Sequence, residues 1–232
     1  MISLFQSLRI LRTLRRQPLR CERIYRQISA GIDASEIEAL RARARATHEH
    51  EYEKYLDFPY YLRLNVSRAL ALGLDDGKPR RVLDIGCGAG HFLLTCRHLG
   101  HSILGLDLDW IAVFNESVAY FEIPRVTHEI RPFEPLPGFA EPFDLITAFA
   151  AKFERYDSAS GTADKIWGSP EWAFFLKEVR ERLAPGGIFH MKLNVTADHF
   201  NRKPELRELF EHADGYETQI HDEKRLSLRR IG

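Results

Sequence analysis

The chain has 232 residues, enough for one globular domain with a sizeable core, and its 33 basic and 33 acidic side chains cancel. This balance excludes a general electrostatic attraction to nucleic acid. No apolar run approaches the length of a membrane span, and the N-terminus lacks a cleavable leader pattern. The cysteines at 21, 87 and 96 have no metal-ligand or CxxC spacing, so we expect reduced thiols, no metal site and a cytoplasmic location.

The first 30 residues are strongly basic, with seven arginines and one acid, Glu22. Apolar residues recur about every three positions from Ile2 to Leu14, which predicts an amphipathic basic helix over residues 1–16. Such a helix can lie on an anionic membrane surface, contact a phosphate-rich partner or act as a targeting segment. The alternative is a partly disordered or packed extension with a solvated arginine face.

Two further helices are predicted before residue 75. Ser35 and Glu38 have the spacing of a capping box, which predicts a helix from Ser35 that continues to Asp57. A second helix is predicted from Tyr60 to Leu72, ending at Gly73. These segments form an N-terminal helical extension over residues 1–75.

The most informative segment is a short buried strand, a glycine-rich turn and the start of a helix, residues 82–92, VLDIGCGAGHF. Glycines at 86, 88 and 90 let the backbone turn sharply and let a ligand approach with no Cβ in the way. A dinucleotide fingerprint would need a third glycine at His91. The carboxylate of Asp84 would repel a pyrophosphate, whereas it favours the ammonium and sulfonium of S-adenosylmethionine. The alternative is a purely structural turn.

A second strand is predicted about twenty residues later, at 102–107, and it ends in an acid, Asp107. An acid in this position accepts hydrogen bonds from both hydroxyls of a bound ribose, in dinucleotide and S-adenosylmethionine sites alike. Asp109 is instead predicted to cap a helix that begins at Trp110. Cys87 is predicted to be a small residue beside the ligand, since no partner cysteine is near it in sequence.

With these motifs the chain resembles the class I S-adenosylmethionine-dependent methyltransferases: VLDIGCGAGHF matches the first family motif and LGLDLD the second. Residues 143–149 resemble the fourth strand, and 183–194 resemble the turn into the fifth. The resemblance implies an α/β fold with a doubly wound, mostly parallel, seven-stranded Rossmann-like sheet. It also implies an S-adenosylmethionine-binding methyltransferase domain over residues 76–232. A hairpin predicted near the C-terminus would supply the antiparallel strand that the family adds.

The resemblance, with S-adenosylmethionine as cofactor, implies a set of cofactor-binding residues at the strand ends: Asp84, Gly86, Cys87, Gly88, Gly90, Asp107, Leu108, Ile130 and Phe149. A third strand is predicted at 125–130. In the loop after it, many relatives bind the adenine amine with an Asp, whereas this chain has Pro132 near that place. The backbone of Ile130 or Arg131, or the side chain of Glu129, is then the candidate for adenine recognition.

The sequence indicates the residues that bind the methyl acceptor less clearly than those that bind the cofactor. Residues 150–168 form a long predicted connection, rich in aromatic and charged residues, that suits a polar organic acceptor. Tyr60, Tyr61 and Asn65 are candidates to line the cleft, the alternative being that they pack the helices. Asn194 is a weak candidate to orient the acceptor, whereas His190 is favoured as a core histidine. The Asn-Pro-Pro-aromatic motif of many amine methyltransferases is absent.

These features predict a methyltransferase that acts on a small-molecule, glycan or lipid-linked acceptor, and they disfavour a nucleic-acid partner. Peripheral contact with an anionic membrane through residues 1–16 stays open. One alternative is the same reaction on RNA or protein, recruited by the arginine-rich N-terminus. The other is a non-catalytic ligand-binding or assembly protein of the same fold.

Overall fold

The computed structural model describes residues 4–46, 50–151, 153–157, 162–193, 204–222 and 225–232, with backbone alone at 4–16, 50, 154–157 and 162–166. Its helices are α1 (Leu4–Ser29), α2 (Ala34–Ala46), a 3-10 helix (His50–Leu56), α3 (Phe58–Ala71), α4 (His91–His98), α5 (Ala112–Tyr120), α6 (Ser169–Arg182) and α7 (Pro204–Glu211). Its strands are β1 (Arg81–Ile85), β2 (Ser102–Asp107), β3 (Arg125–Thr127), β4 (Phe143–Phe149), β5 (Glu154–Asp157), β6 (Thr162–Ile166), β7 (Leu183–Lys192), β8 (Tyr216–Ile220) and β9 (Arg225–Arg230). None of the described helices is long and apolar enough to cross a membrane.

Seven strands form one sheet in the order β3-β2-β1-β4-β7-β9-β8. The neighbours from β3 to β7 are parallel, and β9 runs antiparallel to both β7 and β8. The predicted mostly parallel seven-stranded sheet is therefore confirmed, including its C-terminal hairpin. The chain moves outward from β1 to β3 and then returns to place β4 on the other side of β1, which is the topological switch point where α/β sheets bind ligands.

By its internal contacts the chain divides into two compact units. The first comprises residues 1–79, 88–101 and 110–123, and the second 80–87, 102–109 and 124–232. The second unit contains the whole seven-stranded sheet with α6 and α7, whereas the first contains α1 to α5. The predicted division near residue 75 stays a prediction.

One face of the sheet is apolar because the register of its strands aligns their apolar residues on that face. Leu83, Ile146 and Phe189 are aligned across β1, β4 and β7, and Ile85 with Ala148 extends the same face. These side chains are buried in one cluster with residues of α6 and α7: Trp172, Phe175, Leu176, Val179, Leu206 and Phe210. Alternation along each strand sends the intervening residues to the opposite face.

The first unit has helix starts that differ from those predicted. Asp33, not Ser35, caps α2, because its carboxylate accepts a hydrogen bond from the Ser35 amide at 2.8 Å. The predicted continuous helix to Asp57 is wrong: α2 ends at Ala46, and a separate 3-10 helix spans His50–Leu56. Asp57 caps α3, since its carboxylate accepts from the Tyr60 amide at 3.2 Å, and the helix therefore begins at Phe58.

Three other predicted elements also differ. The helix after β2 begins at Ala112, and its cap position is Ile111 without a side-chain bond, so the predicted cap at Asp109 is wrong. The third strand ends at Thr127 rather than at Ile130. The predicted connection over residues 150–168 contains β5 and β6, which pair as an antiparallel two-stranded sheet. Its aromatic residues Phe153 and Trp167 are buried in the core cluster, so they serve packing.

Candidate active site

The glycines of the turn after β1 all have left-handed backbone conformations, with φ of +71° at Gly86, +52° at Gly88 and +79° at Gly90. Space is also tight at two of them: a Cβ would lie 3.1 Å from the Ala151 Cβ at Gly86 and 3.1 Å from the Ile123 Cγ1 at Gly90. At Gly88 the nearest protein atom would be 3.8 Å away. An added Cβ at Gly88 would therefore be in ordinary van der Waals contact with the Phe114 ring, and the left-handed backbone is what favours glycine there.

Asp84 is buried, with 3% of its surface exposed, on the sheet face opposite the apolar cluster. Its Oδ1 accepts a hydrogen bond from the Thr147 hydroxyl at 2.6 Å. Thr147 lies directly across from it on β4. A buried carboxylate two residues before Gly86 makes this strand end suitable for the cationic part of a ligand.

Cys87 follows in the turn and is almost fully buried. Burial raises the pKa of its thiol, and the nearby carboxylates of Asp107 and Asp84 raise it further. The thiol is therefore neutral at physiological pH and is no nucleophile. Its predicted role as a small residue beside the ligand stays a prediction.

Asp107 ends β2, and its Oδ1 accepts a hydrogen bond from the Leu108 amide at 2.8 Å. The neighbouring strand supports this turn, because the His128 amide donates to the Asp107 carbonyl at 3.0 Å and Arg125 donates to the Leu108 carbonyl at 3.3 Å. The Gly86 amide donates to the Leu106 carbonyl at 2.8 Å. The predicted ribose acid thus lies in the second unit beside the start of the glycine turn.

The predicted adenine loop after β3 contains an ion pair between two of its own residues. Arg131 pairs with Glu129 at 2.7 Å, so that carboxylate is engaged within the loop. Ile130 is partly buried and packs against the core cluster. Farther along, the Leu136 amide donates to the buried Glu178 carboxylate of α6 at 2.9 Å, which fixes the returning end of the loop.

Phe149 ends β4, with its ring centroid 5.6 Å from that of His190 on β7. His190 is buried, and its Nδ1 lies 2.9 Å from the Ser227 hydroxyl of β9, which also lies 2.8 Å from the Nε2 of His221. This supports the favoured interpretation of His190 as a core histidine with a hydrogen bond. Asn194, the weak candidate for orienting the acceptor, lies outside the described residues.

The first unit contains a group of partly exposed rings that the sequence did not predict to lie together. This group, here called the aromatic wall, consists of Tyr52, Tyr55, Tyr61 and Phe114. The Phe114 ring meets Tyr52 and Tyr55 edge-on at centroid distances of 5.4 and 5.2 Å, and Tyr55 lies 5.1 Å from Tyr61. The Phe114 ring is also the group that a Cβ added at Gly88 would contact, at 3.8 Å. The signal available in sequence was the i, i+3 spacing of Tyr52 and Tyr55, which puts both on one face of a 3-10 helix.

Of the cleft candidates named from sequence, the structure brings Tyr61 into the aromatic wall and leaves Asn65 out of it. Asn65 is buried, and its side-chain amide donates to the Tyr61 carbonyl at 2.8 Å, so it stabilises α3. Burial raises the pKa of Tyr61, which therefore stays a protonated hydroxyl rather than a base. Tyr60 is exposed and lies 5.0 Å from the Tyr61 ring.

The residues present fit S-adenosylmethionine, the cofactor that the resemblance implies. The second unit has a buried carboxylate for the cationic methionine end and an acid at the end of β2 for the ribose. In the first unit, Gly88 presents a backbone without a Cβ, as a turn that binds a nucleoside requires. Among the described residues, no group of three or more His, Cys, Asp or Glu side chains is placed to hold a metal ion.

Comparisons with solved structures show the fold. A putative class I S-adenosylmethionine-dependent methyltransferase from Listeria monocytogenes superposes with a TM-score of 0.51 at 12% identity, covering 73% of this chain and 59% of that one. Streptomyces venezuelae DesVI superposes with a TM-score of 0.50 at 11% identity, covering 87% of this chain and 99% of that one. At these identities the similarity is evidence of fold alone.

Among curated proteins, the chain is similar to a tRNA U34 carboxymethyltransferase of Pseudomonas fluorescens, with 34% identity over 79 residues. The match covers 33% of this chain and 25% of that protein, so it spans a quarter of the relative's length. A family model described as a methyltransferase domain matches residues 48–221, most of the chain. The chain therefore belongs to this methyltransferase-domain family, and its fold is shared with a putative class I S-adenosylmethionine-dependent methyltransferase.

Proposed function

We propose that the enzyme methylates a small-molecule, glycan or lipid-linked acceptor that binds at the aromatic wall. The observation that carries this proposal is the contact between Phe114 and the position of Gly88, because it puts partly exposed rings directly beside the turn assigned to the donor. Aromatic rings with hydroxyl groups combine apolar contact area with hydrogen-bonding capacity, which suits an organic acceptor of mixed polarity.

On the donor side, we propose that the cofactor-binding residues are those predicted from sequence: Asp84, Gly86, Cys87, Gly88, Gly90, Asp107, Leu108, Ile130 and Phe149. S-adenosylmethionine supplies the electrophilic methyl group when it is bound. The chain's own residues then have to hold the acceptor in line with that group, and positioning alone can supply much of the rate enhancement. Tyr61 can donate a hydrogen bond to an acceptor oxygen, since its hydroxyl stays protonated.

Calorimetry tests the donor site. Replacing Asp107 by Ala removes the predicted ribose acceptor, and loss of two hydrogen bonds to a carboxylate should weaken binding of S-adenosylmethionine and S-adenosylhomocysteine at least about tenfold. Asp109→Ala is the matched control, because this exposed acid lies two residues farther along and should leave both affinities unchanged. The donor-site assignment would be abandoned if the native chain bound neither ligand.

Transfer of labelled methyl groups tests the acceptor class. The enzyme is incubated with methyl-labelled S-adenosylmethionine and either a low-molecular-mass cell extract or total tRNA. We expect label in the small-molecule fraction, reduced severalfold in Tyr55→Leu, which removes a ring from the wall. Tyr120→Phe is the control, because Tyr120 lies outside the wall and its hydroxyl accepts from the Asp33 amide at 3.0 Å.

A second candidate function is the same reaction on tRNA. The observation that favours it is the similarity to proteins named tRNA U34 carboxymethyltransferase. Label appearing in tRNA, together with tRNA binding that weakens as salt increases, would support it over a small-molecule acceptor.

We also propose that residues 1–16 contact an anionic membrane surface, since α1 contains the arginine-rich segment. Deletion of residues 1–16 should then abolish cosedimentation with vesicles that contain phosphatidylserine. Equal sedimentation of the full chain and the deletion variant would rule this contact out.

A further inference from the structure

Asp84 has one cross-strand neighbour on each side. It lies between Gly105 on β2 and Thr147 on β4 in the parallel register of the sheet. Gly105 has no side chain, so Thr147 is the neighbour that can reach across to the carboxylate. Both Asp84 and Thr147 are buried, with 3% and 0% of their surfaces exposed.

The contact between them is a short hydrogen bond to a carboxylate. The Thr147 Oγ1 lies 2.6 Å from the Asp84 Oδ1 and 3.4 Å from the Leu83 carbonyl. A hydroxyl has one proton, and the closer, charged acceptor takes it. The bond therefore favours the ionised form of a carboxyl group that burial alone would drive towards its neutral form.

Packing does not demand a hydroxyl at this position. The neighbours Ile146 and Ala148 belong to the apolar cluster, while Thr147 points to the opposite face with Asp84. Valine has almost the same shape as threonine and is at least as well suited to a buried strand. The hydroxyl therefore has its effect through Asp84.

We propose that Thr147 is a positioning residue that keeps Asp84 ionised and so makes the site prefer the donor to the product. S-adenosylmethionine and S-adenosylhomocysteine share every group except the methyl and the positive charge of the sulfonium. An ionised carboxylate near that end of the ligand stabilises the cationic donor and not the neutral thioether. The preference promotes exchange of product for donor, and it rests on the assignment of Asp84 to the donor site made above.

Other charged groups near this carboxylate also influence the ionisation of the site. Asp107, like Asp84, raises the pKa of the Cys87 thiol, whereas Arg125 lowers it. His190 follows Thr147 in the cross-strand row on β7. None of these is changed by a substitution at Thr147, so a difference between variants at that position reports on the hydroxyl.

Calorimetric dissociation constants for donor and product test the proposal in the full chain. Thr147→Val removes the hydroxyl and keeps the shape, so the ratio of product to donor dissociation constants should fall by about three- to tenfold. Thr147→Ser restores the hydroxyl and should restore the ratio. Asp84→Asn removes the charge itself and should shift the ratio in the same direction as Thr147→Val.

Several outcomes would overturn the proposal. An unchanged ratio in Thr147→Val, while Asp84→Asn lowers it, would show that Asp84 acts without Thr147. Equal weakening of both ligands would show that Thr147 has a structural role only. Thr147→Ala gives a second test of the missing hydroxyl should the valine variant not fold. Failure of the proposed donor site would look different, because the native chain would then bind neither ligand.

Discussion

At the scale of single residues, the glycine turn depends on left-handed backbone conformations and on close neighbours. Gly86 and Gly90 need glycine both because φ is positive and because a Cβ would meet protein atoms at 3.1 Å. The sequence pattern indicated all three glycines, since only glycine adopts such conformations without strain. It could not show which neighbours crowd them, because Ala151 and Ile123 are distant in the chain.

The crowding at Gly90 leads to a prediction for stability. Gly90→Ala combines backbone strain at φ +79° with a contact to Ile123, so it should lower the free energy of unfolding by about 2–4 kcal/mol. Gly100→Ala is the matched control at the other end of α4: its φ is +90°, and nothing lies within 4 Å of the added Cβ. Urea unfolding of both variants measures the difference. An equal loss in the two would mean that strain alone matters.

At the scale of elements, α4 begins with a buried histidine inside an aromatic cluster. The His91 Nε2 lies 2.8 Å from the Tyr55 carbonyl, so that nitrogen carries the proton and donates. The ring stacks on Tyr61 and meets Phe58 edge-on. Its Nδ1 is buried and has no hydrogen-bond partner in the described part of the chain. Burial lowers the pKa of His91 to about 4, and the Tyr55 carbonyl opposes this shift.

This histidine predicts a pH dependence of stability. The unfolded chain takes up a proton near the ordinary value of 6.5, whereas folded His91 stays neutral down to about 4. Stability from this residue is therefore complete above about pH 6.5 and is lost as the pH falls towards 4. From about pH 7 to about pH 5 the native chain should lose about 2 kcal/mol relative to His91→Phe, which cannot take up this proton.

Urea unfolding at the two pH values measures this difference. His212→Gln is the control, because His212 is exposed and its replacement should leave the pH dependence of the native chain unchanged. Parallel losses in the native chain and in His91→Phe would contradict the assignment of His91 as a neutral buried histidine.

At the scale of the whole molecule, the N-terminal helix is partly packed, in agreement with the alternative of a packed extension. Its second half is packed in the first unit: Ile24 and Ile28 are buried, and Glu22 pairs with Arg63 of α3 at 2.9 Å. The Arg63 guanidinium also lies 3.5 Å above the centre of the Tyr25 ring. Sequence periodicity over residues 1–16 predicted a helix but not its continuation to Ser29, because Pro18 obscures the pattern.

Two substitutions on this helix test its place in the fold. Ile24 is 3% exposed, so Ile24→Ala should cost about 2–4 kcal/mol of unfolding free energy and lower the melting temperature by several degrees. Leu19 lies on the same helix and is 75% exposed, so Leu19→Ala should change the free energy by less than about 0.5 kcal/mol. Thermal unfolding of the two variants compares them, and equal melting temperatures would place Ile24 outside the core.

The sequence by itself determined the family and the sheet, and it predicted the donor turn. These depend on local requirements that spacing records: glycine where φ is positive, and an acid before the turn and at the end of the next strand. Only the tertiary structure decided what surrounds them. Thr147 meets Asp84 across 63 positions of sequence because two parallel strands are in register. The Phe114 ring lies 3.8 Å from the Cβ position of Gly88, although the two residues are 26 positions apart in sequence. No spacing rule along the chain predicts such pairs, since register and packing depend on the whole fold.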